Sequence, residues 1–378
     1  MPRALLTRAA IWGLAIVSLG FGVWRSVQPE ALQDFHSVMT WTAQLASGQS
    51  PWAPVSEADY PPWAIASLVP WLLVPETVRA TCWVSMNVLL AGVLVWSVAR
   101  SVPVSAGTAA TFTGLLLAGS MFRVLSQFSL LSFALGWAGV RDASPLRGGL
   151  WLGLALMKPQ VGGALWLAHL LMGDWRRVGV AALVPVAITG GVSVWLGMSP
   201  ADLLADYYSA VVLAQTGVTA GHTELRPWLS LWTEAWPVLG VTATVALVAL
   251  VPLVTVVARH PAEQWARPRP RLELYAACGL VSLLAVRHLS YDYLLLLPLL
   301  AAWRAWPGPP ARPSAVARGA WWVITAWCVI QPPGWVRRLA AASGTEGRLE
   351  WVLELDRVLC VVLFGLILWV LLRLDMTK

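Results

Sequence analysis

Apolar residues in this chain fall into long runs broken by short polar or proline-rich stretches, the length pattern of membrane crossings rather than of half-exposed surface helices. Runs of spanning or near-spanning length lie at about 9–24, 78–98, 103–121, 125–140, 146–158, 159–173, 178–197, 236–258, 272–286, 291–305, 318–332 and 351–373. They predict an all-α polytopic membrane protein with about 12 transmembrane helices. The run from Pro62 to Pro75 is set apart. It is about 14 residues long, is bracketed by prolines and carries Pro70, which suits an interfacial or re-entrant helix in an outer loop. Ala9 to Trp24 follows Arg3 and Arg8 as a signal peptide would, but no small-x-small cleavage site follows, so it reads as a retained first helix.

Composition narrows the class. Of the 378 residues, 58% are hydrophobic and 12% charged, and the mean hydropathy is +0.67, which excludes two soluble domains and predicts one membrane-embedded domain over 1–378. The net charge of +7 raises the question of nucleic acid, but the basic residues follow the crossings instead. With a cytoplasmic N-terminus, 16 basic and five acidic residues fall inside, against 10 basic and 14 acidic outside, as the positive-inside rule requires. Two outward segments are much longer than turns. They are 25–77, with its interfacial helices, and 198–235, and both are rich in Trp, Tyr, Asp and Pro. Cys82, Cys278, Cys328 and Cys360 stand far apart in apolar runs, so they suggest neither a disulfide framework nor a metal motif.

Ionisable groups at membrane depth are costly and mark function, and here they gather at outer turns. Asp34 and His36 follow the first run, and Asp34 suits either a general base or the N-cap of a helix over Phe35–Ala46. Asp59-Tyr60-Pro61-Pro62 closes the same loop in extended backbone. Arg123 and Gln127, then Lys158-Pro159, then Arg287-His288 with Ser290 and Asp292, occupy later outer turns, and Arg226 lies in the second long outer segment. One such cation alone reads as a side chain snorkelling to headgroups. Several together suit a lipid-linked phosphate. Pro159 interrupts the helical ladder, freeing backbone groups that must line a polar cavity or be buried in protein. No HExxH, CxxC, P-loop or nucleophile-elbow pattern occurs, which leaves metalloprotease, redox, ATPase and serine-hydrolase readings without support.

The order of these motifs resembles the polyprenol-phosphate-mannose-dependent glycosyltransferases of family 87, within the membrane-embedded GT-C class. The pieces are Asp34 after the first helix, Gly48 with Pro51-Trp52, Tyr60-Pro61-Pro62, Ser126-Gln127, Gly149 and Gly153 leading into Lys158-Pro159, and His288-Leu289-Ser290-Tyr291-Asp292 leading to Pro298. The sequence departs from the family pattern at Ser126, Trp52 and Val38. The resemblance implies a GT-C-type fold and an inverting hexosyltransferase that moves a sugar, mannose by analogy, from a polyprenyl-phosphate carrier to a glycolipid or glycan acceptor. It places the active site on the extracytoplasmic face of the cytoplasmic membrane, with Asp34 as base. Lys158, Arg123, Gln127, Arg226, Arg287 and His288 are then expected around the donor phosphate, and His36, Asp59, Tyr60 and Asp292 around sugar or acceptor. With cations to meet the leaving charge, no metal or other cofactor is expected, and the partners are the lipid-linked donor, the acceptor and membrane lipids, without nucleic acid. A transporter or flippase of lipid-linked sugars is the competing class. It calls for repeat symmetry and a site at the midplane, neither of which is evident. A non-catalytic scaffold would leave Asp34 and Lys158 dispensable.

Overall fold

A computed structural model of the chain describes Gly20 and residues 32–52, 58–101, 127–216, 253–258 and 260–285. All regular structure among the described residues is helical, with no strand. The chain divides into two compact units, one of residues 19–94 and 121–219, the other of residues 1–18, 95–120 and 220–378. In the first unit, helices α1 (Gln33–Ala46) and α2 (Pro62–Ser67) precede a 3-10 turn, Val69–Leu73. Then come α3 (Glu76–Ser101), whose last residues pass into the second unit, and α4 (Ser129–Arg141), α5 (Pro145–Ala155), α6 (Pro159–Leu171), α7 (Trp175–Leu196) and α8 (Pro200–Thr216). The second unit contributes a 3-10 turn, Ala262–Ala266, and α9 (Pro268–Ala285).

Proline sets where these helices start. α2, α5, α6, α8 and α9 each begin on one, where the missing N–H is an orphan anyway and the fixed φ is already helical. Ser144 adds a side-chain cap at α5, its Oγ accepting from the Arg147 backbone N–H. Gly48, at φ 81°, makes the left-handed turn that ends α1.

Two described helices are long and apolar enough to cross a membrane, Glu76–Leu94 within α3 and Trp175–Leu196. Leu89 and Val93 on the first and Leu183, Val186 and Val194 on the second are exposed, as lipid-facing positions require. The runs expected at 125–140, 146–158 and 159–173 form helices of 13, 11 and 13 residues. At 1.5 Å per residue these reach about 16–20 Å, short of a hydrocarbon core of about 30 Å. The Asp142–Ser144 connection and the Lys158-Pro159 break fix their ends. Pro62–Pro75 is broken at Leu68 between α2 and its 3-10 turn, so it forms no single rod. The runs at 103–121, 291–305, 318–332 and 351–373 lie outside the described residues, as do all of 9–24 except Gly20, and residues 236–252 of the run 236–258.

α4, α5, α6 and α7 run alternately up and down, which brings α5 and α7 parallel. Glycines let them touch. A Cβ added at Gly149 would meet Val180 Cβ at 2.6 Å and the Arg177 carbonyl at 2.8 Å, and one at Gly153 would meet Val184 Cβ at 2.6 Å and the Ala181 carbonyl at 2.8 Å. The Ala181 carbonyl has lost its helical donor, because the residue four positions on is Pro185. Gly139 and Gly148 give the same backbone-to-backbone approach between α4 and α5. At that end Arg177, one of the basic residues that the charge count expects inside, is buried. Its guanidinium donates to the carbonyls of Gly139 at 2.7 Å and Asp142 at 2.9 Å, and its Nε lies 3.1 Å from the Asp174 carboxylate. It thus satisfies the free carbonyl end of α4 and complements its dipole.

Candidate active site

The opposite end of this bundle collects the motifs singled out in the sequence, and aromatic packing explains why. Phe35, Trp83 and Phe128 are each fully buried. The Trp83 ring stacks on Phe35 at 5.2 Å and lies 4.7 Å from Phe128, which in turn meets Tyr60 in a T-shaped contact at 5.2 Å. Burial of these rings fastens α1, α3 and the start of α4 to one another. Two of the buried rings then carry a polar neighbour into the same place. Asp34 precedes Phe35, Gln127 precedes Phe128, and Gln127 Nε2 donates to Asp34 Oδ2 across a sequence separation of 93 residues. Tyr60 completes the set, its hydroxyl donating to Gln127 Oε1 at 2.9 Å. Gln127 is buried and Tyr60 half-buried, whereas Asp34 is exposed. The Tyr60 backbone is held in turn by Trp52, whose indole N–H donates to the Tyr60 carbonyl at 3.0 Å.

The expected capping role of Asp34 is corrected. α1 starts at Gln33, its N-cap is Leu32, and no side chain caps it. Asp34 sits inside the first turn, where the helix dipole still favours its charge, and its Oδ2 is taken by Gln127 instead of by a backbone N–H.

Lys158 ends the connection between α5 and α6, and its ammonium is buried, donating to Ser129 Oγ at the first residue of α4. It does not extend to the surface as a snorkelling lysine does. Pro159 makes a reversal between two helices rather than a kink, and the backbone carbonyls freed there are buried in protein and paired. The Ala155 carbonyl accepts from Ser132 Oγ at 2.6 Å, and that of Leu156 accepts from Trp63 Nε1 at 2.7 Å. The N-terminus of α4, two residues along the chain from Gln127, and that of α6 therefore both lie beside a buried cation. Partial positive charge at both helix ends adds to that of Lys158.

His36 is exposed, one residue beyond Phe35, with its ring edge-on to it. Asp59 is exposed and lies near Tyr207 of α8, a residue the sequence reading passed over. Burial, with the Asp59 carboxylate adding to it, pushes Tyr207 up to about 12, so it stays a neutral hydroxyl. The Asp206-Tyr207-Tyr208 run in the second long outward segment was the available signal. Arg123, Arg226, Arg287, His288 and Asp292 lie outside the described residues. No group of three or more His, Cys, Asp or Glu side chains suited to a metal occurs among the described residues.

A sequence model of glycosyltransferase family 87 matches residues 59–286, more than half of the chain. The chain belongs to glycosyltransferase family 87. Its activity class is accordingly glycosyl transfer between a donor and an acceptor, and the all-helical structure of the described residues accords with a membrane transferase. The matched span of this family 87 chain holds Tyr60, Gln127 and Lys158, while Asp34 precedes it. No curated protein and no solved structure matches the chain.

Proposed function

We propose that this family 87 chain is an inverting transferase that moves a hexose, mannose by the resemblance of its motifs, from a polyprenyl-phosphate carrier to a glycolipid or glycan acceptor. The active site then faces the extracytoplasmic side of the cytoplasmic membrane. The observation that carries the reading is the exposed Asp34 carboxylate, held by Gln127 on an aromatic platform, with the buried Lys158 bonded to Ser129, two residues along the chain from Gln127.

In this reading the acceptor hydroxyl oxygen attacks the anomeric carbon and forms the new glycosidic bond with inversion. Its proton passes to Asp34, while the bond from the anomeric carbon to the phosphate oxygen breaks and its electron pair leaves with polyprenyl phosphate. The charge that develops on that oxygen is met by Lys158 and the paired N-termini of α4 and α6, which supply the electrostatic stabilisation without calling on a metal. The exposed His36 and Asp59, with Tyr60 and Tyr207 nearby, suit contacts to sugar or acceptor hydroxyls.

Asp34→Asn tests the base. The amide oxygen still accepts from Gln127, so shape and hydrogen bonding persist while proton acceptance is lost. Transfer from a labelled polyprenyl-phosphate mannose in membranes should fall by roughly two to four orders of magnitude, with insertion and donor binding unchanged, and Asp59→Asn should be milder. Loss in Asp59→Asn or Asp292→Asn with a normal Asp34→Asn would move the base. Normal transfer in all three would defeat the mechanism.

A further inference from the structure

Gln127 was expected among the groups around the donor phosphate, yet both ends of its amide have partners elsewhere. A carboxylate has no hydrogen to give, so the amide must turn its NH2 toward Asp34. That choice turns the carbonyl toward Tyr60 and obliges the phenol to donate rather than accept. The polarity of the whole chain, Tyr60 O–H to Gln127 Oε1 and Gln127 Nε2–H to Asp34 Oδ2, follows from the charge at one end of it. Burial of Gln127 in a low-dielectric setting strengthens both bonds and makes an unpaired amide costly, so the arrangement resists rotation.

We infer that Gln127 is a positioning residue for the transfer: it fixes one oxygen of the Asp34 carboxylate, Oδ2, and so presents the other, Oδ1, to the acceptor hydroxyl, with Tyr60 locking the amide from behind. The inference rests on Asp34 being the base. It assigns Gln127 to the acceptor side of the reaction and gives Tyr60 a task distinct from stacking on sugar. The rings on either side serve the same end, since Phe35 and Phe128 hold the two backbones at a fixed separation.

Gln127→Met, an unbranched side chain of similar length without polar ends, removes the hold and keeps the volume. A misdirected base should cost about a hundredfold in kcat, with the Michaelis constant for polyprenyl-phosphate mannose within about twofold. In an Asp34→Asn background the same change should cost nothing further, because no base remains to be aimed; a purely structural role would cost as much in both backgrounds. Tyr60→Phe, which deletes one hydroxyl and keeps the ring on Phe128, should lower kcat by about tenfold. It carries the test alone if Gln127→Met fails to accumulate in membranes. A raised donor Michaelis constant with kcat retained would return Gln127 to the phosphate, and an unchanged kcat in Tyr60→Phe, or equal losses in both backgrounds, would overturn the positioning role. Full transfer by Asp34→Asn is a different failure, since it removes the base itself, whereas an inactive Asp34→Asn beside a normal Gln127→Met removes only the inference.

Discussion

A buried ammonium is tolerated only where something nearby repays its desolvation, and Lys158 stands where two helix N-termini already carry the same sign. On the proposed reading, the donor phosphate is the anion that this place receives. Lys158→Met keeps the stem and deletes the charge, so the Michaelis constant for the lipid-linked donor should rise at least about tenfold, from roughly 2 kcal/mol or more for a charge pair broken in a desolvated site. Membrane insertion should be unaffected. Chelation with EDTA should leave wild-type transfer unchanged, and inhibition reversed by Mg or Mn would transfer the task from Lys158 to a metal. Unaltered donor kinetics in the variant would leave the ammonium a structural group. Asp34, Tyr60, Gln127 and Lys158 were all legible as residues, because polar groups between apolar runs stand out. Their connections were not. That Gln127 bonds Asp34 depends on Phe35 and Phe128 meeting on Trp83, and three buried aromatics far apart in sequence carry no mark of belonging together. Tyr207 was hidden for the same reason, since nothing local ties α8 to Asp59.

Single helices were legible where proline breaks at 62 and 159 were read, whereas the helix that opens at Pro200 was not expected and the run expected from 272 opens earlier, at Pro268. Proline at 62, 145, 159, 200 and 268 opens a helix each time. Hydropathy gave α4, α5 and α6 the standing of crossings; as helices they are 13, 11 and 13 residues long, with ends set by Asp142–Ser144 and by Lys158-Pro159. What holds these short helices is close backbone approach, and Gly149 and Gly153 are its sequence trace, a small-x3-small pair facing α7. The pair makes a sharp prediction. Gly153→Ala sets one methyl against the Ala181 carbonyl and Val184, and should destabilise the detergent-solubilised protein by about 1–3 kcal/mol, the usual range for overpacking. Gly190→Ala, in α7 where an added Cβ meets nothing, should be neutral or stabilising by about 0.5–1 kcal/mol through helix propensity. Thermal unfolding of the two variants side by side checks both signs, and equal effects would show that α5 and α7 do not depend on this contact.

At the scale of the whole molecule, two independent arguments bear on which side the chemistry faces. Charge counting leads us to expect the arginines of alternate connections in the cytoplasm. Bundle geometry sorts the same connections by end. Arg141, Arg147, Arg176 and Arg177 lie where α4 passes into α5 and α6 into α7, while Gln127, Lys158, the end of α1 and the start of α8 lie at the other end, where Trp195 of α7 donates to the Leu45 carbonyl of α1 at 2.8 Å. If the second end is extracytoplasmic, single cysteines at Gln49 and Ala201, both exposed there, should react with an impermeant thiol reagent added to intact cells. One at Ala143, exposed in the connection of α4 to α5, should react only after permeabilisation. The four native cysteines are replaced beforehand, because Cys82 on α3 is itself exposed. The reverse labelling pattern would put Asp34 and Lys158 on the side where nucleotide sugars are made. In that case the lipid-linked donor would lose its rationale, even though the family and the geometry of Asp34, Gln127 and Tyr60 would stand.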